Sequence, residues 1–205
     1  MHSAPESAKR TVNASWVRAA VWLAAITILL ILSPAEQTLG DVVKLVYLHG
    51  ALVRTGLLAF TAAGILGAIA LISGRGWAVE WGRAVGHAAL IVWIVYALSS
   101  MVVTYMAWGV AIAWGEPRVM ASGQILLAAL AFWGVSVFMQ HWRATAALNA
   151  ILGALAWILT RSAGVVIHPV DPIGGSSSVA IQSFYAAIVA CVILLAFELV
   201  LWLKR

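Results

Sequence analysis

Charge is what this chain has least of. Only 9% of its 205 residues are Asp, Glu, Lys or Arg, whereas a soluble domain carries about 25%. That deficit excludes a water-soluble globular protein. The acids are scarcest, seven in all and scattered between the apolar runs, so no two stand at a spacing that pairs carboxylates for acid–base chemistry. Cysteine is nearly absent. Cys191 is alone and lies inside an apolar run, which excludes a disulfide and any CxxC thiol chemistry. No glycine-rich phosphate loop follows a strand, and Ser176-Ser177-Ser178 belongs to a Gly-, Pro- and Ser-rich stretch that reads as a flexible loop. The expectation is a protein with no catalytic residues.

What the chain has in abundance is apolar sequence, 64% of its residues. About 20 consecutive apolar residues cross a bilayer as a helix. Six such runs are present, at Trp16–Ser33, Val42–Ile72, Ala84–Ala107, Val119–Met139, Ala144–Thr160 and Val179–Leu203. The fold class expected is an all-α membrane protein, a bundle of six transmembrane helices. Residues 1–15 form a polar cytoplasmic tail, expected to be disordered, and residues 16–205 the membrane domain. The first run is longer than the roughly 7–15 apolar residues of a signal peptide, so it reads as an uncleaved span. The second is longer than a crossing needs and is expected to begin outside the hydrocarbon as an interfacial turn. Its Gly56, Gly64 and Gly67 predict close helix packing.

Lys and Arg accumulate in cytoplasmic loops. With the N-terminus inside, Lys9, Arg10, Arg18, Arg75, Arg83, Arg143, Lys204 and Arg205 are cytoplasmic, while Lys44, Arg118 and Arg161 are outside and Arg54 lies within a span. Both termini are therefore expected in the cytoplasm. The net charge of +5 follows from this topology, and nucleic acid is not expected as a partner. The lipid bilayer is.

Between the third and fourth runs lies Tyr105–Ser122, which contains Trp108-Gly109, Trp114 and Glu116-Pro117-Arg118. Flat aromatic faces beside a cation suit a flat apolar ligand carrying acidic groups. On helical spacing Trp108 and Ile112 share a face of a surface-lying helix that Pro117 ends. Glu116 reads as a solvated loop acid or a cap. Trp is also enriched at membrane interfaces for its own sake, so Trp108 and Trp114 can equally be belt residues.

Two histidines reach the same outer side. His49 follows Tyr47 at the start of the second run, and His168 sits in Val166-Ile167-His168-Pro169 between the fifth and sixth. Neutral imidazole is a common axial ligand of haem iron. Arg54, a lone cation in an apolar run, is a functional-site candidate by default.

The Trp-Gly start, the second Trp and the acid-Pro-Arg end resemble the tryptophan-rich signature of the haem-handling proteins of cytochrome c maturation, the CcmC/CcsA family. The resemblance extends over the whole chain. His49 in its Tyr-x-His context, the segment Trp108 to Arg118, and His168 fall where the family's motifs fall. Two differences stand out: Ile112 occupies the place of a middle Trp, and Gly115 separates Trp114 from the acid. The resemblance implies one b-type haem per chain. His49 and His168 would be its iron ligands, with Trp108, Gly109, Trp114, Arg118, Arg54 and Tyr47 around the ring. The site would face outward from the cell's inner membrane, passing haem to cytochrome c maturation proteins or another membrane complex.

Two other readings stay open. His87 and His141, near the inner face, could form a second bis-histidine site and make a two-haem cytochrome for electron transfer. A structural subunit that kept the fold and lost haem is the third.

Overall fold

The computed structural model describes residues 6–167 and 173–205, with side chains from residue 15 onward. His168, the expected second iron ligand, lies outside the described residues. Six helices make up the fold: α1 (Glu6–Leu32), α2 (Val43–Ser73), α3 (Gly76–Trp108), α4 (Pro117–Met139), α5 (Trp142–Ser162) and α6 (Val179–Leu203). Each is long and apolar enough to cross a membrane. The chain is a multi-pass, all-α membrane protein.

Several boundaries differ from expectation. The polar N-terminal segment is helical from Glu6, because α1 extends its membrane run by two and a half turns. The expected basic loop between the second and third spans shrinks to Gly74 and Arg75. Gly74 adopts a left-handed conformation (φ 63°) and donates its N–H to the Ala70 carbonyl, which ends α2 in the way glycine allows. α2 is unbroken over 31 residues, about 46 Å at 1.5 Å per residue. That exceeds the roughly 30 Å hydrocarbon layer.

The centre of the bundle is α2, which packs on α3, α5, α6 and α1, whereas α1 leans on α6 and α4 on α5 and α3. Small residues set its closest contacts. A Cβ on Gly153 would lie 2.8 Å from the Phe60 carbonyl oxygen and 3.1 Å from Gly64 Cα, and one on Gly67 would collide with the Ala146 carbonyl oxygen. Backbone meets backbone there, so neither side can yield cheaply. Trp157 Nε1 donates to Thr61 Oγ1 across the same interface at 2.7 Å, a polar tie of the kind membrane helices use. We predict that Gly153→Ala costs about 1–3 kcal/mol through overpacking. Gly134→Ala on α4, where nothing lies within 4 Å, should cost nothing. Thermal unfolding in detergent, compared for the two variants, checks this; equal midpoints would contradict it.

On the α6 side of α2 the large side chains are aromatic, and on the α3 side Phe60 packs 5.5 Å from Trp93 between ring centroids. Tyr47, Phe60, Trp93, Ile125 and Ile188 are fully buried. At the end holding the termini, Arg18 Nε and Nη2 donate to Glu198 Oε1 and Oε2 at 2.7 and 2.9 Å. The partner of Glu198 is thus on α1, while Arg54 of α2 lies against Tyr185. The carboxylate is the buried member and the guanidinium is half-exposed. Arg18→Gln, which strands a buried charge, is therefore expected to lower the unfolding temperature more than Glu198→Gln, which leaves a cation able to reach water. The reverse order would contradict it.

Candidate functional site

The loops joining α3 to α4 and α5 to α6, together with the start of α2, lie at one end of the bundle. This site is built from the last turns of α3. Trp93 Nε1 donates to the Ser122 carbonyl at 3.1 Å, and Tyr96 Oη and Ser122 Oγ share a hydrogen bond of 2.8 Å. Ser122 Oγ also donates to the Arg118 carbonyl. The aromatic residues of α3 thus hold the first turns of α4, which carry the end of the tryptophan-rich segment.

His49 joins this arrangement from α2. Its ring lies 4.9 Å from the Tyr96 ring, and its Nδ1 is 3.3 Å from Ser99 Oγ, at the long end of hydrogen-bond range. Ser99 gives its own hydroxyl proton to the Tyr96 carbonyl at 2.7 Å. The oxygen is therefore placed to accept from Nδ1–H of His49, and in a neutral ring that tautomer would carry the lone pair on Nε2. Metal-ligating histidines are typically oriented in this way, through the nitrogen that does not bind.

The tryptophan-rich segment does not form a surface-lying helix. α3 ends at Trp108, where Gly109 takes a left-handed conformation (φ 76°) and its N–H bonds the Tyr105 carbonyl. Residues 110–116 run as turns. Pro117 begins α4 instead of ending a helix, because its ring presets helical φ and the first turn needs no N–H. Trp108 is half-buried, while Trp114 is 71% exposed. With Tyr105, Val110, Val166 and Ile167, also exposed, Trp114 forms an apolar rim around this end.

Glu116 is not a solvated acid. It is fully buried, and although it stands at the N-cap position of α4, its side chain makes no cap bond. Its Oε2 instead accepts from the backbone N–H of Ile167 at 2.7 Å and of Val166 at 3.2 Å. The carboxylate crosses from the tryptophan-rich segment to the α5–α6 loop and holds the two residues that precede His168. Glu116, Ser99 and Tyr96 are what residue patterns missed. Glu116 carried a faint signal as the one acid between two apolar runs, whereas Ser99 is fifty residues from His49 and carried none.

Two other candidates point elsewhere. The Arg54 guanidinium lies 4.8 Å from the centre of the Tyr185 ring on α6, a cation–π contact, whereas His49 faces α3. Tyr47 is inaccessible, its hydroxyl donating to the Pro34 carbonyl and its ring 6.3 Å from Tyr185. The fold brings together His49, Trp108, Gly109, Trp114 and Arg118 at one end of the bundle, with Arg54 and Tyr47 on another side of α2. His87 and His141 line a cavity at the opposite end. In the turn between α1 and α2, Glu36 accepts from the Thr38 and Leu39 N–H groups. The Leu39 bond, followed by that of Thr38, holds its carboxyl below the usual carboxylate range. No family model matches this sequence, and neither does any curated protein.

Proposed function

We propose that this chain is a membrane haem-binding protein that holds one b-type haem at the outer face and passes it on for cytochrome c assembly. It belongs, on this reading, with the CcmC/CcsA-like haem-handling proteins of the inner membrane, with both termini in the cytoplasm. The observation that carries the proposal is the Ser99–His49 contact, which orients the imidazole and supports the tautomer that would carry the lone pair on Nε2. An interfacial histidine kept only for packing needs no such proton bookkeeping.

His49 and His168 would hold the iron, and the apolar faces of Trp108 and Trp114 would lie against the ring. Arg118 would offer its guanidinium to an acidic substituent. When bound, the group supplies an iron centre that accepts two imidazole nitrogens. The protein's own part is retention and release. Glu116 holds the residues before His168, so its grip on that loop sets how easily the second ligand withdraws. The open rim around Trp114 leaves room for a receiving maturation protein to approach.

The other two readings predict different stoichiometries. His87 and His141 line a common cavity, which favours the two-haem cytochrome as runner-up. A pyridine haemochrome assay on protein purified after expression with ample haem decides. One b-type haem per chain is expected; two would favour the cytochrome, and none would favour the structural subunit and end the proposal.

A further inference from the structure

At the end of the bundle away from His49, α2, α3, α4 and α5 enclose a cavity of about 450 Å³. Arg83, His87, Ser136, His141, Thr145 and Asn149, with Gln140 at the end of α4, supply its polar lining. A small adjoining void of about 30 Å³ shares Arg83, His87, Ser136, Thr145 and Asn149 and lies deeper, beside Leu90, Phe132, Trp133 and Leu152. The lining is thus graded, with a cation and hydroxyls near the helix ends and hydrocarbon deeper in.

Two features give the cleft a charge and an apolar flank. No Asp or Glu lines either part, and Arg83 makes no ion pair with another described residue. The side chain is exposed, so its charge is available. The residues that α4 buries, Ala121, Ile125 and Ala129, all lie at or before its thirteenth residue. From Leu130 onward none is buried, and Phe138 is 90% exposed. This half of α4 therefore offers the bilayer an apolar surface next to the cleft, where Val137 is part of the lining. Asn149 keeps its walls in place by donating to the Gly82 carbonyl at 3.0 Å.

We infer that this cleft binds an anionic phospholipid. The phosphate lies with Arg83 and the hydroxyls of Ser136 and Thr145, and one acyl chain runs along the exposed Trp133 and Val137 of α4. Basic pockets between membrane helices take up acidic headgroups in this way. Room for a hydrocarbon chain lies beside the cleft on α4, where Trp133 and Val137 are exposed, so a phosphate ester carrying such a chain gains apolar contact that a free anion does not. This site is separate from the proposed haem site and does not depend on it.

Native mass spectrometry of the purified full-length protein tests the inference, with dioleoyl phosphatidylglycerol titrated against dioleoyl phosphatidylcholine. The wild type should retain the anionic lipid at least about fivefold more tightly, the worth of one basic residue near a membrane surface. Arg83→Gln should abolish the preference and Arg83→Lys should keep it, with helicity and elution volume showing that both variants fold. Equal retention of the two lipids by the wild type, or a preference unchanged in Arg83→Gln, would overturn the inference. Displacement of the lipid by inorganic phosphate or glycerol 3-phosphate would assign a free-anion site instead. A haem that survives His49→Ala but is lost in His141→Ala would give the cavity to a different ligand.

Discussion

Replacing His49 and His168 together is expected to remove bound haem from the purified protein, from one per chain to less than about one in ten. Aromatic contacts and a single cation hold a flat apolar ring only weakly once both iron bonds are gone. The sharper comparison is Ser99→Ala, which touches neither ring nor iron. Without the Ser99 oxygen, the His49 Nδ1 proton has lost the partner that sets its tautomer and tilt. Outer partners of metal-binding histidines are worth about 10–100-fold in affinity, so Ser99→Ala should bind haem that much more weakly with its absorption maxima unmoved. Ser99→Thr, which keeps the hydroxyl, should recover most of the loss. Haem content that ignores both histidines would end the haem proposal, and a Ser99→Ala protein indistinguishable from wild type would remove the tautomer argument while leaving ligation intact.

Removing the Glu116 carboxylate should release the α5–α6 loop. Two backbone N–H groups lose a charged acceptor at once, and a hydrogen bond to a charged group contributes about 1.5–3 kcal/mol. Val166 and Ile167 are exposed enough for water to replace part of that, which puts the net local effect of Glu116→Ala at about 2 kcal/mol. Amide exchange at Val166 and Ile167 should accelerate by about 30-fold, the equivalent of that free energy. Glu116→Gln keeps an acceptor oxygen without its charge and should fall about halfway. Exchange in the helices far from this loop should not change. If the two amides exchange at the same rate in Glu116→Ala as in the wild type, the carboxylate does not hold the loop. The exchange measurement stands apart from the haem question, because it reads the loop in the absence of any ligand. If haem is bound, the same variant should also release it faster, since His168 follows the released residues in the chain.

The sequence by itself determined the membrane class and the six spans. Near-absence of charge over 20-residue runs leaves the bilayer as the only solvent such helices tolerate, and backbone hydrogen bonds inside each helix are then obligatory. The glycines of α2 were legible for a related reason, because helices in lipid gain most from close backbone approach. The helix ends were less so: hydropathy cannot tell a helical extension such as Glu6–Ala14 or Gly76–Arg83 from a loop, since charged and polar residues interrupt the apolar run in either case. Pro117 illustrates the limit, for proline both ends a helix and begins one.

Only the tertiary structure decided the site. That Ser99 meets His49, that Tyr96 and Ser122 join α3 to α4, and that Glu116 turns inward to the residues before His168 are contacts between segments far apart in the chain. They depend on the rotation of each helix about its axis, which packing against several neighbours sets at once and which no single apolar stripe records. The same rotations turn Arg54 and Tyr47 toward α6, and they place Arg83, Ser136 and Thr145 around one cleft.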